Sequence, residues 1–151
     1  MPSQPVVLDQ VNCEYIPHLA ILRVGQPLVI KSSDSTLHNV AFVARNNGIK
    51  KNATMSTPSA LKPIRFSRPE LAAPLFIKCD VHSWMSSYVT ILPHPFCVIT
   101  GKDGRFELKG VPPGKYILLI WHEKFADEAV TREVTLTKNQ EYEVKTVEFT
   151  R

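Results

Sequence analysis

Short runs in which hydrophobic and polar positions alternate recur along most of the chain, and this period of two is typical of β-strands. The clearest is Ser87 to Leu92, which alternates and is rich in β-branched side chains. Further strands are predicted at residues 5–8, 13–16, 18–24, 27–31, 39–44, 61–66 and 74–78. The first is predicted to be an edge strand, and residues 13–24 a single strand broken by Pro17. Residues 45–60 have no periodicity and predict a long surface loop. The pattern therefore predicts an all-β protein with few helices.

From Pro93 onward the composition changes, and the chain becomes a series of hairpin signals. The sequence Gly101-Lys102-Asp103-Gly104 predicts a turn between strands at 94–100 and 105–108. Further strands are predicted at 115–121, 130–137 and 141–149. We therefore divide the chain into a first domain, residues 1–93, and a second β-element, residues 94–151.

The segment from Cys79 to Met85 concentrates metal-binding chemistry in a loop between two predicted strands. It places a thiol, an imidazole and a thioether at Cys-x2-His-x2-Met spacing. These donors suit copper, and a trigonal blue-copper site needs one further histidine. His38 lies 41 residues upstream at the start of another apolar run and can supply it. Zinc fits less well, because a thioether is a poor fourth ligand for it.

These residues resemble the cupredoxins, the small blue-copper β-sandwich proteins. The order of residues 13–17, 24–30 and 38–40 is plastocyanin-like, and the two-residue spacing between His82 and Met85 is similar to the short ligand loop of amicyanin. The resemblance spans residues 1–93. It implies a Greek-key β-sandwich with one copper ion per chain. The implied metal ligands are His38, Cys79, His82 and Met85.

The family pattern also implies a role for each residue of this site. Cys79 supplies the thiolate that gives strong charge-transfer absorption, and Met85 is the weak axial ligand that sets the potential. His82 is the ligand nearest the surface and the expected electron port. Asn39 is expected to support the site by fixing the two ligand segments relative to each other.

The second part of the chain carries another resemblance. The sequence T-G-K-D-G-R-F-E-L-K-G-V-P-P-G-K-Y, residues 100–116, resembles the carboxypeptidase-regulatory-like (prealbumin-like) β-sandwich. It is shorter than a full module of that kind. The resemblance therefore implies a second small β-sandwich element that packs on, or extends, the copper domain.

Composition and charge narrow the function classes. A hydrophobic content of 44% allows a buried core, and the net charge of +4 is modest. Without a dense basic cluster interleaved with aromatic residues, nucleic-acid binding gets little support, whereas basicity suits docking to an acidic partner. We expect no membrane span, because no apolar run is long enough. The cupredoxin resemblance implies a periplasmic or extracellular protein; because the first residues do not form a signal peptide, such a protein is expected here in its mature form.

The remaining cysteines and histidines have open alternatives. Three cysteines do not form a disulfide framework, so at least one is free, metal-bound or paired with another chain. Cys13 is expected near the copper end of its strand, either as a small packed hydrophobe or as a residue that perturbs the site, and Cys97 is expected to be a buried free thiol. Ordinary hydrogen-bonded or solvent-facing side chains account for His18, His94 and His122, although a contribution of His18 to the site stays open.

The predicted function is one-electron transfer with a redox protein as partner. We expect no enzyme, because no phosphate loop or Ser/His/Asp set is present. Cys79 as a nucleophile with His82 as base is the alternative, but on a tight loop these residues converge on a metal more naturally than on a substrate. The alternatives are copper storage, delivery or resistance, and a non-redox β-sandwich that acts as an interaction module. The sequence leaves the oligomeric state open.

Overall fold

The computed structural model describes residues 2–56, 58–125, 129–138 and 140–149, and regular structure in them is almost entirely β. The chain divides into two compact units, Met1–Phe106 and Glu107–Arg151. The domain boundary at Pro93 stays a prediction. The strands of the first unit are β1 (Val6–Val11), β2 (Glu14–Ile16), β3 (Leu19–Arg23), β4 (Pro27–Ser32), β5 (His38–Ala44), β6 (Ile49–Met55), β7 (Ser59–Ala60), β8 (Ile64–Arg65), β9 (Glu70–Lys78) and β10 (Ser86–Leu92). The strands of the second unit are β11 (Gly114–Ile120) and β12 (Val130–Leu136).

Two five-stranded sheets form the first unit. One has the order β2-β1-β4-β7, with β8 also paired to β4, and the other has the order β3-β10-β9-β5-β6. The pairs β1–β4 and β3–β10 are parallel, so strands distant in sequence lie side by side. The predicted all-β sandwich is confirmed.

The core of the first unit contains inward side chains from both sheets. In β10, alternate residues are buried, and Val89 and Ile91 are fully enclosed. Leu28 and Ile30 of β4 face the same core from the other sheet. This alternation matches the period of two read from the sequence, because successive strand side chains point to opposite faces.

The region predicted as a long surface loop is instead a hairpin strand. β6 pairs with the whole of β5, from His38 opposite Met55 to Ala44 opposite Ile49. Its consecutive lysines and asparagine hide the alternation in the sequence. They are tolerated because β6 is the outer strand of its sheet, where charged side chains reach solvent.

The N-terminal strands also differ from the prediction. β1 lies between β2 and β4, so it is an interior strand and not an edge strand. The segment predicted as one strand broken at Pro17 is two strands that belong to different sheets. The chain crosses from one sheet to the other at the cis Ile16–Pro17 peptide bond.

In the described part of the second unit, β11 and β12 form a two-stranded antiparallel sheet.

The predicted turn at Gly101 is present, with a 2.9 Å hydrogen bond from its N–H to the carbonyl of Arg105. However, residues 94–100, 105–108 and 141–149 are not strands, so these three predictions are wrong. An alternating run needs a partner strand for its backbone groups, and these runs have none among the described residues. Within the same residues, no helix has the length and apolar character that crossing a bilayer requires.

Candidate metal centre

The predicted metal ligands lie on two segments of the first unit. His38 is the first residue of β5, and Cys79, His82 and Met85 lie on the seven-residue connection between β9 and β10. We call this connection, residues 79–85, the ligand loop. The antiparallel pairing of Lys78 with Ser86 closes the loop at its base.

The two histidines face each other through matching ring nitrogens. The Nδ1 atoms of His38 and His82 are 3.0 Å apart, and their ring centroids are 4.8 Å apart at an interplanar angle of 62°. His38 is fully buried, whereas His82 is half-buried. Two atoms at this separation can bind the same ion, because neighbouring ligands at ~2.0–2.1 Å from a metal lie roughly 3 Å apart.

Cys79 and Met85 are both buried in the ligand loop. The Sγ atom of Cys79 lies 4.0 Å from Nδ1 of His82. The N–H of Cys79 donates to the carbonyl of Met85 at 3.1 Å, and the N–H of Met85 donates to the carbonyl of His82 at 3.0 Å. The side chains of Cys79 and Met85 both belong to the core cluster. These backbone hydrogen bonds keep the loop tight and place its thiol beside His82.

Asp34 orients His38 from behind. Its Oδ2 atom accepts a 2.8 Å hydrogen bond from Nε2 of His38. The same carboxylate accepts the backbone N–H groups of Asn12 at 2.6 Å and Cys13 at 2.9 Å. Burial would raise the pKa of Asp34, but the hydrogen bonds from Cys13, His38 and Asn12 hold it below its usual value. With the proton of His38 on Nε2, the lone pair on Nδ1 is directed toward His82, as a metal ligand requires.

Asn39 joins β5 to the ligand loop. Its Nδ2 group donates to Oδ2 of Asp80 at 3.0 Å and to Oδ1 of Asn52 at 3.1 Å, and its Oδ1 atom accepts the backbone N–H of Asp80. The hydrogen bonds from Lys78 and then Asn39 hold the pKa of Asp80 below its usual value. This is the link between the two ligand segments that the sequence predicted for Asn39.

A buried polar cluster of Gln10 and Tyr15 lies behind the site and joins the two sheets. The hydroxyl group of Tyr15 lies 3.1 Å from the carbonyl of Asn39 and 3.3 Å from that of Lys78. Gln10 is fully buried and donates from Nε2 to the Tyr15 hydroxyl at 3.0 Å. Burial raises the pKa of Tyr15 well above its usual value despite the hydrogen bond from Gln10, so the phenol stays neutral. The cluster fixes β5 and β9 against the opposite sheet at the point where both reach the candidate site.

Cys13 brings a second thiol to the histidine pair. The ligand atoms of Cys13, His38 and His82 all lie within 4.8 Å of one another. Cys13 is half-buried and lies in the turn between β1 and β2, and its thiol is free, as are those of Cys79 and Cys97. Cys97 is half-buried, so the prediction that it is buried is wrong. Its carbonyl accepts a 3.0 Å hydrogen bond from Nε1 of Trp84, an exposed residue whose ring lies 5.2 Å from that of His82.

The other histidines have ordinary partners. Nδ1 of His18 lies 3.1 Å from the carbonyl of Ser86. The ring of His94 stacks on Phe96, and Nδ1 of His122 accepts the backbone N–H of Lys124. These contacts agree with the simpler interpretation of all three.

Sequence reasoning missed Asp34 and the buried pair of Gln10 and Tyr15. Asp34 lies in a stretch of short polar residues that predicts a turn, and nothing in that stretch indicates which of its side chains reaches His38. Its position four residues before the histidine is the only available signal. Cys13 was noticed, but its distance from the histidines depends on a turn conformation that the sequence does not specify.

No protein-family model and no curated protein matches the sequence. Among solved structures, the chain is similar to a reduced variant of amicyanin at 19% identity and a TM-score of 0.50, over 60% of this chain and 85% of amicyanin. A Cu(I) form of another amicyanin variant is similar at 18% identity, with the same coverage and TM-score. The copper-containing nitrite reductase of Thermus scotoductus SA-01 is similar at 14% identity and a TM-score of 0.50, over 60% of this chain but only 23% of that enzyme. At identities this low, structural similarity shows the fold alone. It confirms the predicted cupredoxin β-sandwich.

Proposed function

We propose that this protein binds one copper ion and transfers single electrons to and from a protein partner. The proposed ligands are His38, Cys79, His82 and Met85. The observation that most supports this is the 3.0 Å separation of the two histidine Nδ1 atoms, with the Cys79 thiol 4.0 Å from one of them. Atoms bound to one ion at ~2.1 and ~2.3 Å lie at most about 4.4 Å apart. The pair of histidine nitrogens and the pair formed by Cys79 and His82 are each within this range.

The donor chemistry fits copper. Two imidazole nitrogens and one thiolate are the strong donors of a blue-copper site, and a thioether is its usual weak ligand. Bound copper would supply one-electron chemistry by alternating between its +1 and +2 states. Asp34 orients the imidazole of His38 and the thiol of Cys79 is buried, which supports the assignment of both as donors.

The surface beside His82 suits electron exchange with another protein. His82 is half-buried, and the neighbouring side chains of Val81 and Trp84 are exposed. Leu37, which precedes His38, is exposed as well. Clustered exposed apolar side chains are typical of protein contact sites. We assign His82 as the electron port and expect an acidic redox partner, since the chain carries a net charge of +4.

We further propose that the protein is not an enzyme and that it works outside the cytoplasm. Both points depend on the cupredoxin resemblance of the sequence. The similarity to a nitrite reductase covers less than a quarter of that enzyme and gives no ground for a catalytic role here.

A copper titration with visible spectroscopy tests the proposal. Purified protein should develop intense absorption that saturates at one Cu(II) per chain, and Cys79→Ser should lose the absorption that the Cys79 thiolate contributes. Cys97→Ser is the matched control and should keep the wild-type spectrum. An unchanged spectrum in Cys79→Ser would refute the proposed ligand set.

The mode of copper use is tested separately by electrochemistry and metal exchange. An electron-transfer protein should cycle reversibly between the two copper states and retain its ion in the presence of a chelator. A colourless, readily exchanged ion would instead indicate storage or delivery.

A further inference from the structure

The thiol of Cys13 lies close enough to the histidine pair to share an ion with it. Its Sγ atom and a ring nitrogen from each of His38 and His82 form a group in which all three atoms are within 4.8 Å of one another. That span is only a few tenths of an ångström beyond the ~4.4 Å limit for two ligands on one metal. Cys13 comes from the turn between β1 and β2, so it approaches from a different segment than the ligand loop.

The backbone of Cys13 is tied to both histidines. Its N–H donates to Oδ2 of Asp34, the same oxygen atom that accepts Nε2–H of His38. Its carbonyl accepts Nε1–H of Trp84, whose ring packs beside His82. Any movement of either histidine segment therefore acts on Cys13 too. These two backbone contacts hold residue 13 in place beside the histidine pair.

The turn itself favours glycine over cysteine at this position. Asn12 and Cys13 have φ values of 54° and 58°, so both are in the left-handed region. A two-residue hairpin turn of this kind prefers Asn-Gly, because a Cβ atom at the second position is strained. The asparagine follows this preference and the cysteine does not. The backbone conformation therefore does not account for the cysteine, whereas its position beside two ring nitrogens does.

We propose that Cys13 is a second thiolate ligand of the metal, in addition to Cys79. This rests on the proposed copper function and names a ligand that the cupredoxin resemblance does not include. On binding, each coordinating thiol releases one proton to solvent, and two anionic sulfurs and two neutral imidazoles face the ion. A second anionic donor stabilises the more highly charged Cu(II) state, so the reduction potential is lower than Cys79 alone would set. It also shifts the thiolate charge-transfer absorption to shorter wavelength.

X-ray absorption at the copper edge counts the sulfur ligands directly. Wild-type protein should show two short Cu–S contacts, Cys13→Gly should show one, and the Cys97→Ser control should show two. Glycine suits the left-handed turn, so this variant removes the thiol without straining the fold. Cys13→Ser keeps a side chain of similar size and should give the same count as Cys13→Gly. The apparent affinity for Cu(II) should fall by about tenfold or more in both variants, since even an outer supporting residue has that effect.

Alkylation and electrochemistry give independent readouts. A thiol reagent should modify Cys13 in the metal-free protein and not in the copper-loaded protein, as identified by peptide mapping. The reduction potential of Cys13→Gly should be higher than that of the wild type.

The outcomes separate this proposal from the proposed function. If wild-type protein binds copper with a colour that depends on Cys79, but Cys13→Gly leaves the sulfur count, the affinity and the potential unchanged, Cys13 is not a ligand and the copper function stands. If wild-type protein binds no copper, both proposals fail.

Discussion

Replacing Asp34 by alanine removes the one carboxylate that holds both the β1–β2 turn and the ring of His38. Asp34 accepts three hydrogen bonds, of 2.6, 2.9 and 2.8 Å, from Asn12, Cys13 and His38. A hydrogen bond to a charged group contributes about 1.5–3 kcal/mol, and leaving a buried donor without a partner costs about 1–3 kcal/mol. Water can replace the carboxylate at the two exposed or half-exposed turn amides, but His38 is fully buried. We therefore expect the free energy of unfolding of the metal-free protein to fall by roughly 2–4 kcal/mol.

The same substitution should weaken copper binding. Without Asp34, nothing fixes the proton of His38 on Nε2, so the ring can present a protonated Nδ1 to the metal. Loss of such an orienting partner typically reduces metal affinity about 10- to 100-fold. Urea unfolding of the metal-free protein and a copper titration against a competing chelator measure the two effects.

Asp9→Ala is the matched control for Asp34→Ala. Asp9 lies on β1 and pairs with Lys31 at 2.6 Å and Ser33 at 2.9 Å, both of them polar surface contacts. It should lose no more than about 1 kcal/mol, as is typical of surface ion pairs, and keep its copper affinity. If Asp34→Ala lowered stability but bound copper as tightly as the wild type, Asp34 would only hold the turn. If it changed neither quantity, the hydrogen bonds described here would not exist in solution.

Three further outcomes test other parts of the structure. Met85→Leu should keep copper and colour but raise the reduction potential, because loss of a weak donor destabilises Cu(II) more than Cu(I); complete loss of copper would make Met85 a principal ligand. Tyr15→Phe should lower the free energy of unfolding, measured in urea, by about 1–3 kcal/mol, because the carbonyls of Asn39 and Lys78 lose a buried hydroxyl partner. An unchanged free energy of unfolding would mean that the cluster is not formed. Burial raises the pKa of the Cys97 thiol, so less of the thiol is ionised at a given pH. Its alkylation rate should therefore rise at higher pH in the folded protein than in urea-unfolded protein. The same pH dependence of alkylation in both states would contradict this burial.

The strands that form the core were predictable because each is a short apolar or alternating run. Residues 27–31, 39–44 and 87–92 were predicted as strands, and β4, β5 and β10 contain them. The ligand loop was predictable for a related reason, since flanking apolar runs and unusual donors coincide within a few residues. A local pattern sufficed in each of these cases.

Features that depend on partners distant in sequence were not predictable. β6 is a strand because β5 pairs with it along its whole length, although its lysines indicate a loop. Residues 141–149 alternate, but pairing and not alternation decides whether a strand forms. The contacts of Asp34 with the β1–β2 turn join residues about twenty positions apart, and no local signal specifies such a contact. The resemblance of the second unit to carboxypeptidase-regulatory-like modules stays a prediction.

The candidate site is built from widely separated segments, so the chain can bind copper with native affinity only after these segments have come together. The histidine of β5 and the ligand loop are brought together by pairing of β5 with β9 and of β9 with β10, and the Gln10–Tyr15 pair contributes the opposite sheet. A nascent chain that lacks β10 therefore holds the individual donors without the arrangement. Because the ion would bind the folded unit far better than the unfolded chain, it would stabilise folding by about 2.7 kcal/mol at a free concentration one hundred times its dissociation constant. Binding of the metal with native affinity would then report completion of the sandwich.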